Sequence, residues 1–150
     1  FERQLKDQDV QYEATPAARG DAHAAIRQTP GTATFFIDRS IAAIDLRDFR
    51  SAASDLDAAV KFDPEIPRAF AFRARVRRKL SNVEGAVEDA NHAIALDPKH
   101  LPALLERGSL RRLLKNAHGA RSDWQHVREI APESAEAAAA TAMIKALDTN

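Results

Sequence analysis

The chain has 150 residues, 45% hydrophobic and 29% charged, a balance that favours a folded globular protein over a disordered one. Lysine plus arginine equals aspartate plus glutamate at 22 each, so the overall charge gives no reason to expect nucleic acid or an anionic membrane as a partner. The lack of cysteine excludes disulfides, thiol catalysis and cysteine-ligated metal sites, and it leaves the compartment, cytoplasm or periplasm, open.

Residues 1–32 precede the clearest pattern of the chain. Within them, residues 16–28 are predicted to form a helix that ends before Pro30, because proline cannot continue a helix. Residues 1–14 are polar and charged, which indicates either a degenerate first helix or a flexible arm. No run approaches the roughly 20 apolar residues that span a bilayer. The chain begins at Phe1 and not at Met, which we interpret as the start of a trimmed or processed protein.

A repeat with a period of 34 residues follows. Its units are residues 33–66, 67–100 and 101–134, and each has a proline at the same place: Pro64, Pro98 and Pro132. Small or modest side chains recur at the eighth, twentieth and twenty-seventh places: Ser40, Ala74, Gly108; Ala52, Ala86, Ala120; Ala59, Ala93, Val127. Small residues at fixed places let two helices approach closely. Each unit is therefore predicted to be a tight pair of helices.

Residues suited to helix ends recur at the same spacing. A leucine at the fourteenth place is followed two residues later by a side chain that can cap a helix N-terminus: Leu46 and Asp48, Leu80 and Asn82, Leu114 and Asn116. The pairs Asp63-Pro64, Asp97-Pro98 and Ala131-Pro132 are predicted to close the second helices, and Pro67 and Pro102 suit the first turns of the next ones. After Ser134, another N-cap, the alanine-rich segment 135–150 is predicted to be a helix that caps the array.

This pattern resembles the tetratricopeptide repeat, a helix-turn-helix unit of 34 residues with small residues and a proline at these places. The resemblance implies an all-α superhelix, with residues 1–150 as a single domain, and a non-enzymatic function in binding proteins or peptides. The family's clamp for the C-terminal carboxylates of chaperones uses Lys, Asn and Arg side chains. Those places are occupied here by Ile37, Ile41, Phe72, Pro102 and Glu106, so that activity is not expected.

Three arginines occupy a place where the family usually has leucine. Each lies 16 residues before an aspartate: Arg39 and Asp55, Arg73 and Asp89, Arg107 and Asp123. We expect each arginine on a first helix to pair with the aspartate on the second, in a bidentate geometry that fixes how the two helices lie against each other.

The first helix of the second unit is strongly basic, with six basic and no acidic residues between positions 67 and 80. By the resemblance, first helices line a concave groove, which would be partly basic and partly apolar and would suit an acidic, partly apolar peptide. A basic helix face that is merely solvated is the other interpretation. The residues expected to contact the ligand are Ile41, Phe72, Arg75, Arg78, Lys79, Leu105, Ser109 and Arg112.

Other functions are open to the same sequence. Self-association could use the terminal helix, through Met143, Ile144 and Leu147, or the N-terminal end. Nucleic acid could bind the basic stripe, although the zero net charge argues against it. None of the five histidines lies in a metal-ligand or nucleophile-base motif, so neither an enzyme nor a cofactor is expected.

Overall fold

The computed structural model describes residues 32–149, which form seven α-helices and no β-strand. In chain order they are α1 (Thr32–Asp45), α2 (Phe49–Phe62), α3 (Pro67–Lys79), α4 (Val83–Leu96), α5 (Leu101–Leu113), α6 (Ala117–Ile130) and α7 (Ala135–Asp148). The helix predicted at 16–28 and the polar segment 1–14 lie outside the described residues. None of the helices in the described range is long and apolar enough to cross a membrane.

Side-chain caps set the helix boundaries, as the sequence predicted. The side chains of Asp48, Asn82 and Asn116 accept hydrogen bonds from the backbone N–H groups three residues later, at 3.2, 3.1 and 2.9 Å, and Ser134 does the same at 3.0 Å. The second helices end at the residues that precede the repeated prolines by two positions, and the prolines follow at once after the C-caps. Pro67 begins α3, and Pro102 lies in the first turn of α5, where no N–H is needed.

The helices pack as successive antiparallel pairs. α1 packs on α2, α3 on α4 and α5 on α6, while each second helix also contacts the first helix of the next pair. The first helices of successive pairs contact one another, so that α1, α3 and α5 form an inner layer and the second helices an outer one. Helix α7 packs on the last pair and so covers the C-terminal end of the array; its Ala137, Ala140 and Ile144 are buried. Helix α7 is also held by a hydrogen bond from Arg121 on α6 to Asp148.

The core combines many buried alanines with larger side chains, of which Trp124 is the largest that is fully buried in the described range. Trp124 is fully buried on α6, and its Nε1 donates a hydrogen bond to the backbone oxygen of Leu105 at 3.2 Å. Gly108 makes room for it, because a Cβ at that position would lie 2.2 Å from Trp124 Nε1. The glycine at the eighth place of this unit is therefore a packing requirement of the tryptophan.

The predicted arginine–aspartate pairs are confirmed in all three units. In each one, Nε and Nη2 of the arginine donate to the two carboxylate oxygens at 2.7–3.0 Å: Arg39 to Asp55, Arg73 to Asp89 and Arg107 to Asp123. The three aspartates are buried, so each carboxylate exchanges water for a guanidinium partner.

The same arginines also link neighbouring units. Nη1 of Arg73 donates to Asp57 of the preceding unit at 3.1 Å, and Nη1 of Arg107 donates to Asn91 in the same way. In the second unit, Arg77 adds another bond to Asp89 at 3.0 Å. This network links the two helices of each unit and joins the second and third units to the units that precede them.

Candidate functional site

The inner face contains a cleft of about 460 Å³ between α1, α3, α5 and α7. The turn after α1 closes one side, and the terminal helix closes the other. Its lining residues are Ile44, Asp45, Arg47, Phe49, Arg75, Arg78, Lys79, Leu105, Glu106, Ser109, Ala139 and Met143. Five of the eight residues predicted to contact a ligand are among them: Arg75, Arg78, Lys79, Leu105 and Ser109.

Glu106 organises the charges of this cleft. It is 4% exposed, and its carboxylate accepts hydrogen bonds from Nε of Arg78 and, at 3.3 Å, from Nη2 of Arg78. Arg75 approaches the same carboxylate through Nε at 3.6 Å. A buried carboxylate needs such partners, because an unpaired one would be strongly disfavoured. Arg78 is therefore largely engaged inside the protein and offers less to a ligand than the sequence suggested.

Other cations of the cleft are available. Nη1 and Nη2 of Arg75 have no hydrogen-bond partner among the described residues, and Lys79 and Arg47 form no ion pair there. Together, four cationic side chains and two carboxylates line the cleft, which leaves a formal excess of two positive charges. Arg75 can thus present a guanidinium edge to an acidic group while its Nε remains near Glu106.

Apolar side chains form the rest of the wall. Leu105 is 9% exposed and packs with Trp124, so it forms the floor of the cleft and not a projecting anchor. Met143 and Ala139 on α7 line the same cleft. The hydroxyl of Ser109 donates to the backbone oxygen of Leu105 at 3.3 Å. A ligand here would meet an apolar surface beside free positive charge.

Three predicted residues lie outside the cleft. Ile41 and Phe72 are partly buried and pack against the core between α1, α2 and α3. The ring of Phe72 lies between the guanidinium groups of Arg68 and Arg75, whose central carbons are 6.0 and 5.4 Å from the ring centre. Phe72 therefore borders the cleft through Arg75. Arg112 is exposed and does not line it.

Several lining residues were not predicted as ligand contacts. Ala139 and Met143 occupy the fifth and ninth places if the 34-residue numbering is continued into α7, so the repeat itself could have indicated them. Glu106 lies at a groove place, but only the structure reveals its pairing with Arg78. Asp45, Arg47 and Phe49 belong to the turn region, where side-chain direction follows from local backbone geometry.

The fold is shared with solved structures of tetratricopeptide repeat domains. The first such domain of human RPAP3 matches with a TM-score of 0.72 and 23% identity, over 81% of this chain and 93% of that one. The first such domain of Spaghetti (RPAP3), bound to the HSP90 peptide SRMEEVD, matches with a TM-score of 0.69 and 23% identity, over 78% of this chain and 90% of that one.

A second kind of structure is equally similar. PcrH of Pseudomonas aeruginosa, in complex with the chaperone binding region of PopD, matches with a TM-score of 0.69 and 19% identity, over 81% of this chain and 94% of that one. No protein-family model and no characterised protein sequence matches the chain significantly. The helix pairs, their caps and these structures together establish that the chain has the tetratricopeptide repeat fold.

Proposed function

We propose that the chain is a non-enzymatic scaffold whose inner cleft binds an acidic, partly apolar segment of a partner protein. The observation that carries this proposal is the guanidinium edge of Arg75, whose Nη1 and Nη2 have no hydrogen-bond partner within residues 32–149 and which lies with Lys79 beside the apolar surface of Leu105 and Met143. Support also comes from two of the similar structures, in which a tetratricopeptide repeat domain holds an HSP90 peptide and PcrH holds a segment of PopD.

The chemistry of the cleft suits a carboxylate followed by an apolar side chain. The carboxylate of an Asp or Glu would accept two hydrogen bonds from Arg75 and gain attraction from Lys79. A neighbouring Leu, Ile or Phe of the peptide would bury its side chain against Leu105 and Met143, which supplies most of the affinity. Because the stacked helices and the arginine–aspartate network already hold the cleft in shape, binding requires little ordering of the scaffold.

Glu106 contributes to the selectivity of this site. Its negative charge offsets part of the positive charge of Arg75 and Arg78, so a ligand with dense negative charge gains less here than on a purely basic surface. A peptide that combines one or two carboxylates with apolar side chains is therefore favoured over a polyanion such as nucleic acid.

Selection from a random peptide library displayed on phage tests the proposal, because it requires no candidate partner. The intact chain should enrich peptides that contain Asp or Glu next to large apolar residues. Affinities of a selected peptide, measured by fluorescence anisotropy, should fall about tenfold or more for Arg75→Gln combined with Lys79→Glu. Arg128→Glu is the matched control, because Arg128 is exposed on α6 and forms no ion pair within residues 32–149.

Three results would contradict the proposal. These are enrichment of basic peptides, no enrichment at all, or an equal loss of affinity in the control variant. A labelled single-stranded oligonucleotide that binds more tightly than the selected peptide at physiological salt would favour nucleic acid as the ligand instead.

A further inference from the structure

The turn between the two helices of each repeat carries an exposed leucine. Leu46, Leu80 and Leu114 are 80%, 42% and 57% exposed, which places them among the most exposed large apolar side chains of the described range. Each precedes a residue with a positive φ: Arg47 at 63°, Ser81 at 68° and Lys115 at 65°. This tight turn places the N-capping side chain at the start of the next helix and leaves the leucine outside the core. We call the edge formed by these turns the leucine rim.

Between the second and third units, the leucine rim forms a concave surface of about 640 Å³. It is lined by Ser81, Asn82, Val83, Glu84, Val87 and Glu88 of the second unit and, among the rim leucines, by Leu114 of the third. The concavity is separate from the cleft of the inner face, because the two share no lining residue. An apolar depression with exposed leucines at its edge is typical of a surface that a protein partner covers.

The charges around this depression are complementary to one another. Glu84 and Glu88 are exposed acidic residues of the second unit, whereas Lys115, next to Leu114, is an exposed basic residue of the third. None of the three forms an ion pair with another residue in the described part of the chain. Helix α4 of the second unit thus offers negative charge, and the turn of the third unit offers positive charge, beside the same apolar depression, whereas Lys79, next to Leu80, lines the cleft of the inner face.

We propose that a second copy of this chain binds the leucine rim in a two-fold symmetric dimer whose axis passes between the second and third units. A two-fold axis at this point places the second unit of each copy opposite the third unit of the other. Leu80 and Leu114 of the two copies then pack together, and Glu84 and Glu88 of each copy face Lys115 of the other. Both contacts occur twice, so the surface is complementary to itself.

The first unit does not support the same arrangement. Its counterpart of Glu84 is Arg50, and its counterpart of Glu88 is Ser54, while the second unit has Ser81 at the place of Lys115. An axis between the first and second units would therefore place Arg50 and Ser54 opposite Ser81 and lose the charge complementarity.

The terminal helix is also a poorer dimer surface. Its apolar side chains Met143, Ile144 and Leu147 pack against the core around Trp124. Much of their surface is therefore covered within the chain, whereas Leu80 and Leu114 are 42% and 57% exposed in the described range.

Sedimentation equilibrium of the full chain over a wide concentration range tests this dimer. The weight-average mass should rise from 16.5 kDa towards twice that value. Leu114→Ser should raise the dimer dissociation constant roughly a hundredfold, because the symmetry removes the leucine twice. Leu46→Ser is the matched control and should leave the constant unchanged, since Leu46 has the same place in the first unit. Circular dichroism verifies that both variants remain folded.

Charge exchange makes the test specific for the proposed axis. Glu84→Lys combined with Glu88→Lys should give a monomer, and so should Lys115→Glu alone. An equimolar mixture of these two proteins should restore the dimer, because each rim contact then joins opposite charges. A chain that stays monomeric at every concentration would overturn the proposal. An unaltered dimer in Leu114→Ser, or a mixture that stays monomeric, would overturn it too.

Discussion

Replacement of Gly108 by alanine tests the packing that supports the floor of the cleft. The new Cβ would lie 2.2 Å from Nε1 and 2.7 Å from Cδ1 of Trp124, which is fully buried and cannot move outwards freely. Overpacking of this kind costs about 1–3 kcal/mol, and loss of the hydrogen bond to Leu105 costs about 1 kcal/mol. The higher helix propensity of alanine stabilises the folded chain by about 1 kcal/mol. The expected net loss of stability is therefore about 1–3 kcal/mol.

A double-mutant cycle with Trp124→Leu isolates this contact. The first unit has Ser40 and Leu56 at the two equivalent places, so a leucine beside a small side chain is a combination that the repeat already contains. In the Trp124→Leu background, Gly108→Ala should be neutral or stabilising by up to about 1 kcal/mol. Urea unfolding followed by circular dichroism measures all four proteins. An equal cost of Gly108→Ala in both backgrounds would refute the packing role of Gly108.

Three further predictions concern the ion pairs, a histidine and ligand choice. Arg73→Ala should destabilise more in an Arg77→Ala background than alone in urea unfolding, because Arg77 otherwise keeps Asp89 paired. Burial lowers the pKa of His100, so the unfolded chain takes up the proton first and stability falls as the pH drops below about 6.5. His100→Gln should flatten the melting temperature between about pH 7 and pH 5. Amidation of the C-terminal carboxylate of the peptide SRMEEVD should leave any affinity measured by calorimetric titration unchanged, since apolar and acidic residues occupy the places of the carboxylate clamp.

The fold was largely predictable because its determinants are local and recur. Capping side chains such as Asn82 and helix-ending prolines such as Pro98 act within a few residues, so their spacing fixes the helix boundaries. The pairing of Arg73 with Asp89 could be inferred because three units repeat it at one spacing. A feature that recurs in every repeat can be interpreted from the sequence pattern alone.

Features that occur once were not predictable in the same way. The places equivalent to Glu106 hold Asp38, which is exposed, and Phe72, so the repeat gives no sign of a buried carboxylate there. The burial of Glu106 against Arg78 depends on how α3 and α5 cross.

Mapping a bound peptide by NMR tests most directly whether the inner cleft is the binding site. A peptide selected from the random library is titrated into isotopically labelled chain, and backbone amide shifts are followed along all seven described helices. We expect the largest shifts on the inner face, around Arg75, Leu105 and Met143, while the outer faces of α4 and α6 change little. Shifts concentrated on the outer helices or on the leucine rim, with the inner face unchanged, would contradict the assignment of the cleft as the binding site.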